Sequence, residues 1–136
     1  MLVREEEAAA KSKRSVWQRS TRTELVRIFL AGKENDTAWE TFTGGPVATP
    51  LWPEIAAVRA KTHPHDASAV YHRLLPVAVE GGTRNARYDE AFEIARAVGM
   101  LRARLDEHAE FIRELEEIRA AYRAKRNFIK LLAKLF

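Results

Sequence analysis

Two histidines and an acid stand close together in this sequence and form its first candidate for chemistry. His63 and His65 are two residues apart, and Asp66 follows directly. Imidazole nitrogens and carboxylates are zinc ligands, so the spacing is compatible with a metal site. A zinc site needs three or four converging ligands, however, and these residues also have the composition of a turn before a helix. We therefore expect turn and helix-start roles and no bound metal, with His72 facing water and His108 in a first helical turn.

The other residue types used in catalysis form no recognisable motif. The chain has no cysteine, which excludes thiol nucleophiles, disulfides and Cys-containing zinc sites and is compatible with a reducing cytoplasm. No serine lies in a G-x-S-x-G motif, and neither Gly-Gly pair belongs to a phosphate-binding loop. The carboxylates lie beside Arg or Lys at helical spacing, which is typical of surface ion pairs. The sequence thus favours a protein that is not an enzyme and uses no cofactor.

Basic residues are concentrated at the C-terminus. The whole chain carries a net charge of +4, yet its first 118 residues hold 17 basic and 19 acidic side chains, a net of −2. Such a cluster of cations can bind phosphates or an acidic protein, and the alternative is a solvated helix face. The candidate partner-binding residues are Arg119, Arg123, Lys125, Arg126 and Lys130.

The composition is that of a globular protein. Apolar residues make up 46% and charged residues 31% of the chain, which is enough for a buried core. No apolar run approaches the roughly 18 to 20 residues that a membrane-spanning helix needs, and the N-terminus lacks the apolar centre of a secretory signal. We expect a cytoplasmic protein without a membrane span.

Helical periodicity dominates between glycine and proline breaks, and no segment alternates like a strand. Thr21 and Glu24 have the spacing of a capping box at the first helix, and Gly32 is predicted to end that helix. We predict an all-α fold of about six helices. Residues 1–19 are expected to form a polar N-terminal segment that frays, and residues 20–136 a single helical-hairpin domain that ends in an amphipathic, basic helix.

Three acids recur in similar surroundings. Asp36, Asp66 and Asp106 each precede a small residue and then a large ring, at separations of 30 and 40 residues. Each is predicted to be a helix N-cap, as is Asn85 for the fifth helix. Such periods suggest stacked helical hairpins in a tetratricopeptide-like array, while the irregular spacing equally suits an irregular α-helical bundle.

Each helix is expected to bury one apolar stripe. Pro76 is expected to kink the fourth helix and Gly81 with Gly82 to end it. Whether residues 100–136 form one helix or two is open, because they contain no glycine or proline. The predicted inward residues are Leu25, Ile28 and Phe29; Ala38, Trp39 and Phe42; Leu51, Ile55 and Val58; Ala67, Val70, Tyr71, Leu74 and Ala78; Tyr88, Ala91, Phe92, Ala95, Val98, Leu101 and Leu105; and Phe111, Leu115, Ile118, Tyr122, Ile129, Leu132 and Phe136.

Four segments together resemble a known family. They are ELVRIFLAGKENDTAWE at 24–40, HPHDASAVYHRLL at 63–75, RYDEAFEIARAV at 87–98 and AAYRAKRNFIKLL at 120–132. In this order they resemble the C-terminal helical region of bacterial SWIM zinc-finger family proteins, over roughly residues 20–134. The zinc ligands of that family, C-x-C and C-x-H, lie upstream and have no counterpart in a chain without cysteine. The resemblance implies a tetratricopeptide-like array with a scaffold role.

Two functional hypotheses follow. The first is a non-enzymatic helical-repeat scaffold that binds another protein or another region of its parent chain. The alternative is a nucleic-acid-binding accessory domain that acts through the basic C-terminal helix, whose affinity would then fall steeply with salt. Self-association through the last helix is a further partner prediction.

Overall fold

A computed structural model describes residues 20–84 and 87–135 of the chain. Within these ranges there are seven α-helices and no β-strand, so the predicted all-α fold is confirmed. Short 3₁₀ turns at Thr49–Leu51 and Ala133–Leu135 adjoin the third and last helices. The helices are α1 (residues 20–31), α2 (Asn35–Thr43), α3 (Trp52–Ala60), α4 (Pro64–Gly82), α5 (Asp89–Arg104), α6 (His108–Ala121) and α7 (Arg126–Leu132).

Three predictions fall outside the described ranges: the polar segment 1–19, the cap at Asn85 and the inward position of Phe136. In the described part of the chain, no helix combines the length and the apolar character required to cross a bilayer.

The chain divides into two compact units, and the division lies inside α3. One unit extends through Val58 and the other begins at Arg59. That residues 20–136 form a single domain stays a prediction.

In the first unit, side chains form hydrogen bonds with the turn between α2 and α3. The Thr23 hydroxyl of α1 accepts a hydrogen bond from the Ala48 backbone N–H at 2.9 Å, and the Trp52 indole donates to the Val47 carbonyl at 2.9 Å. Phe42 of α2 meets Trp52 edge to face, with ring centroids 5.7 Å apart. These contacts fix the turn between α2 and α3, and they bury Phe42 as the sequence predicts.

The buried face of α1 differs from the predicted one. Leu25 is 41% exposed and Ile28 61% exposed, so their prediction as inward residues is wrong, and Phe29 is half-buried. Thr23 and Val26, one turn apart, are the buried residues. A polar residue takes the inward position because its hydroxyl has a backbone partner in the turn, which removes the cost of burying it.

The predicted N-caps at Asp36 and Asp66 are also wrong. Asp36 and Asp66 lie inside the first turns of α2 and α4, neither of which has a side-chain cap hydrogen bond. The Asp66 carboxylate is paired with Arg59 at 3.0 Å and therefore serves an ion pair. Residue 20 is already helical, which places Thr21 inside α1 and excludes the predicted capping box there.

Two helices end at a residue in the left-handed conformation that is not glycine. Lys33 has φ 57°, and the Glu34 N–H donates to the Phe29 carbonyl at 2.8 Å, a pattern typical of a Schellman motif. Asp106 has the same φ after α5, so it ends that helix and does not cap α6. Gly32, the predicted stop, comes one residue before the left-handed position.

In the second unit, α5 is the central helix. It packs against α4, α6 and α7. Its buried residues confirm most of the predicted stripe: Tyr88, Ala91, Ala95, Val98 and Leu101, joined by Ile94. At Gly99 an added Cβ would lie 2.8 Å from Phe111 Cζ, so the missing side chain lets the ring of α6 approach α5.

The C-terminal region contains a break. α6 ends at Ala121 and α7 begins at Arg126, with Lys125 in the N-cap position. Phe128 of α7 is fully buried and occupies the inward position predicted for its neighbour Ile129, which is half-buried. Its ring lies 5.6 Å from that of Tyr88 and 5.9 Å from that of Tyr122. The turn thus brings rings from three segments together.

Candidate functional site

The side chains of His63, His65 and Asp66 do not come together as a metal site. The His63 Nδ1 lies 2.8 Å from the Thr62 hydroxyl, whereas the His65 ring faces Glu107 and Asp66 pairs with Arg59. Across residues 20–84 and 87–135, no cluster of three or more histidines and acids is placed to hold a metal ion. The three residues therefore contact three different partners and do not converge.

Two of the histidines instead belong to a chain of ion pairs that joins α4, α5 and α6. Arg102 of α5 donates to Glu107 at 2.9 Å and to Glu114 of α6 at 2.6 Å. The His65 Nε2 lies 3.0 Å from Glu107, and the His72 Nε2 contacts the other oxygen of Glu114. We call these five residues the ion-pair chain. His72 is exposed, as the sequence predicts, and it also contacts Glu114.

Charges in the ion-pair chain shift two pKa values. The hydrogen bond from Arg102 lowers the pKa of Glu107 below its usual range; desolvation opposes this shift, and His65 adds to it. Burial alone would lower the pKa of Arg102, but its hydrogen bonds to Glu107 and Glu114 raise it overall. Both groups are therefore ionised at neutral pH, as an interhelical ion pair requires.

The lowered pKa of Glu107 has a consequence for acid stability. The carboxylate stabilises the fold above its unfolded pKa, and the contribution is lost as pH falls through the lower, folded pKa. We expect Glu107→Gln to flatten the fall in stability below about pH 5, with the largest deficit near neutral pH. Urea unfolding followed from pH 7 to pH 2 measures this, with Glu116→Gln on the exposed side of α6 as control. Parallel curves for Glu107→Gln and the wild type would contradict the prediction.

The ion-pair chain does not activate a nucleophile. Ser68 and His72 lie one turn apart on α4, and a serine nucleophile needs a hydrogen-bonded base. Ser68 is buried, and its hydroxyl has no hydrogen-bond partner among the described residues. The His72 Nε2 contacts Glu114 and not the serine. The arrangement joins helices and lacks the nucleophile–base contact of a hydrolase.

The five predicted partner-binding residues are spread over two helices and their connection. Arg119 lies in the last turn of α6, Arg123 in the connection and Lys125 at its end, whereas Arg126 and Lys130 belong to α7. Arg123, Arg126 and Lys130 are exposed, and the other two are half-buried. The structure thus interrupts the single basic helix that the sequence suggests.

In the part of the chain that the structure describes, four of these cations form no ion pair. We define the cationic segment as Arg123, Lys125, Arg126, Lys130 and Lys134. Within the two described ranges, no carboxylate oxygen lies within 4.0 Å of a side-chain nitrogen of this segment. Other acids of the second unit form ion pairs: Glu107 and Glu114 in the ion-pair chain, Asp66 with Arg59 and Glu93 with Arg96. The positive charge of the segment is thus not neutralised by pairing within this part of the chain.

A surface groove of about 340 Å³ lies beside the cationic segment, between the start of α5 and α7. It is lined by Arg87, Tyr88 and Asp89 on one side and by Asn127, Lys130, Leu131 and Lys134 on the other. The second set consists of three residues of α7 and Lys134 of the 3₁₀ turn that follows it. Sequence reasoning identified Lys130 as a candidate residue but did not identify Leu131 as part of a groove.

Comparison with known proteins identifies no relative. No family, curated protein or solved structure matches this chain. The resemblance to the SWIM family therefore stays a prediction.

Proposed function

We propose that this chain is a non-enzymatic, cytoplasmic protein-interaction module whose cationic segment binds an acidic region of a partner protein. The observation that carries the proposal is that, in the described ranges, no carboxylate oxygen lies within 4.0 Å of a side-chain nitrogen of the cationic segment. Unpaired cations create a positive field that attracts an acidic surface and orients it during encounter.

The packing of α7 supports this proposal. Phe128 and Leu132 are fully buried, so α7 is anchored on one face while Arg126 and Lys130 remain exposed. A helix fixed in this way presents its charges without ordering on binding, which lowers the entropic cost of association. Because these two apolar residues are already buried, they are not available for the predicted self-association.

The surroundings of the cationic segment favour an acidic protein over nucleic acid. α7 has seven residues and is only about 10 Å long, which allows few phosphate contacts. The large apolar side chains exposed in the described part of the chain are aliphatic or Met, so they offer no ring on which bases stack. Asp89 lines the adjacent groove and repels phosphate.

The proposal also includes a fold type and a family. We infer a tetratricopeptide-like scaffold and a link to bacterial SWIM zinc-finger proteins from the order of the four resembling segments. The test is genomic: a reading frame that encodes a Cys/His finger upstream of this sequence supports the link, and one without such a finger argues against it.

The interaction is tested with charge reversal. The test variant combines Arg123→Glu, Arg126→Glu and Lys130→Glu. The matched control reverses three exposed cations outside the cationic segment: Lys61→Glu, Arg84→Glu and Arg113→Glu. Binding of a fluorescent poly-glutamate peptide and of a random-sequence DNA duplex is followed by anisotropy at low and physiological salt.

We expect the wild type to bind poly-glutamate, the test variant to lose at least about tenfold in affinity, and the control to change far less. Equal losses in both variants, or no peptide binding at low salt, would refute the proposal. Tighter binding of the duplex, with a steep salt dependence, would establish the nucleic-acid alternative in its place.

A further inference from the structure

We infer that the groove between α5 and α7 takes one apolar side chain of the acidic partner segment, while Lys130 and Lys134 bind carboxylates on either side of that side chain. This inference rests on the proposed function and adds the sequence character of the partner, an acidic segment that contains an apolar residue.

The C-terminal end of the chain places the required groups together. Lys130 and Leu131 of α7 and Lys134 of the 3₁₀ turn that follows all line the groove. An apolar surface flanked by two cations complements an apolar side chain flanked by two carboxylates. A purely acidic ligand would leave Leu131 facing water, and a purely apolar one would leave both charges unpaired.

The apolar wall of the groove is supported from behind. Tyr88, which lines the groove, is 5% exposed, and its ring packs at 5.6 Å from that of Phe128, which is fully buried. A wall backed by the core is already in place before a ligand arrives, as in most specific binding pockets. The groove volume of about 340 Å³ is near the lower end of the range for ligand pockets, which suits a side chain better than a large cofactor.

Charge complementarity decides the occupant. In the described residues Lys130 and Lys134 have no carboxylate within 4.0 Å, so no acid in this part of the chain forms an ion pair with them. Asp89 brings one negative charge into the same groove. That charge repels any anion close to it, so the partner must place its carboxylates beside the lysines and a neutral residue near Asp89, whose carboxylate can accept a hydrogen bond from a backbone N–H.

The test uses two peptides of equal length and charge. Both carry glutamates on either side of a central residue, which is Leu in one peptide and Ala in the other. Isothermal titration of the full chain is expected to show about tenfold tighter binding of the Leu peptide, since three more carbon atoms are buried in a partly open groove.

Variants of the protein test whether the preference for the Leu peptide arises in the groove. Leu131→Ala is expected to abolish the preference for Leu and leave the affinity for the Ala peptide nearly unchanged. The control Ile129→Ala, on α7 but outside the groove lining, is expected to keep the preference. Lys134→Gln is expected to weaken both peptides alike. Methyl NMR of the wild type provides a readout that needs no variant: the Leu131 methyl signals should shift with the Leu peptide more than with the Ala peptide.

The outcomes separate the two proposals. Equal affinity for the Leu and Ala peptides, with acidic binding retained, would overturn the groove inference and leave the proposed function intact. Equal methyl shifts of Leu131 with both peptides would do the same, even if Leu131→Ala failed to fold. Absence of binding by either peptide would overturn both.

Discussion

Phe128→Ala is expected to lower the free energy of unfolding by about 3–5 kcal/mol, the largest effect of any single substitution considered for this chain. The Phe128 side chain is fully buried, and its ring contacts those of Tyr88 and Tyr122. Removing it leaves a cavity among three chain segments that cannot all move inward together. A loss of this size is a large part of the 5–15 kcal/mol typical of a domain.

Urea unfolding followed by far-UV circular dichroism measures this effect, with two controls. Ile129→Ala removes the neighbouring, half-buried side chain and should cost clearly less. Phe128→Leu keeps an apolar group in the site and should give an intermediate loss. A cost for Phe128→Ala below that of Ile129→Ala would show that Phe128 is not the anchor of α7.

Gly82→Ala is expected to destabilise the protein by about 1–3 kcal/mol, the usual cost of overpacking. Gly82 is buried at the end of α4, where an added Cβ would collide with the Arg87 carbonyl and lie 2.8 Å from Tyr88 Cδ1. The carbonyl belongs to the backbone and cannot rotate away as a flexible side chain would. The chain must shift at the start of α5 to admit the methyl group.

The adjacent glycine supplies the matched control. Gly81 is exposed in the same helical turn, and an added Cβ there meets no atom within 4 Å. Gly81→Ala should therefore stabilise the chain by up to about 1 kcal/mol through helix propensity. Thermal unfolding should show the two variants on opposite sides of the wild-type Tm. Shifts in the same direction would contradict the close approach at Gly82.

Local sequence patterns were sufficient to predict an all-α fold but not to predict where each helix begins and ends. Glycine and proline breaks and helical periodicity indicated the all-α fold and the buried stripes of α4 and α5. The N-cap predictions were wrong because an acid near a helix start can make other contacts. Asp66, for example, forms an ion pair with Arg59. The predicted inward face of α1 was wrong because Thr23 is buried in its place. The Thr23 hydroxyl accepts a hydrogen bond from the Ala48 backbone N–H, which lies 25 positions away in the sequence.

The candidate site was predictable only in part. Composition identified the cations of the C-terminal region, including Lys130. The break between α6 and α7 could not be found, because residues 100–136 contain neither glycine nor proline. The groove could not be found either, since Tyr88 and Leu131 become neighbours only when α7 packs against α5. Periodicity carries no information on contacts between segments so distant in sequence.

The central position of α5 bears on how quickly the second unit assembles. Two of its three packing partners, α4 and α6, are its immediate neighbours along the chain. Closing such short connections costs little chain entropy, and proteins dominated by local contacts fold within microseconds to milliseconds. During synthesis each helix from α4 to α6 leaves the ribosome next to the one it must join. Only α7 must return past α6 to reach α5, so we expect the proposed binding surface to form last.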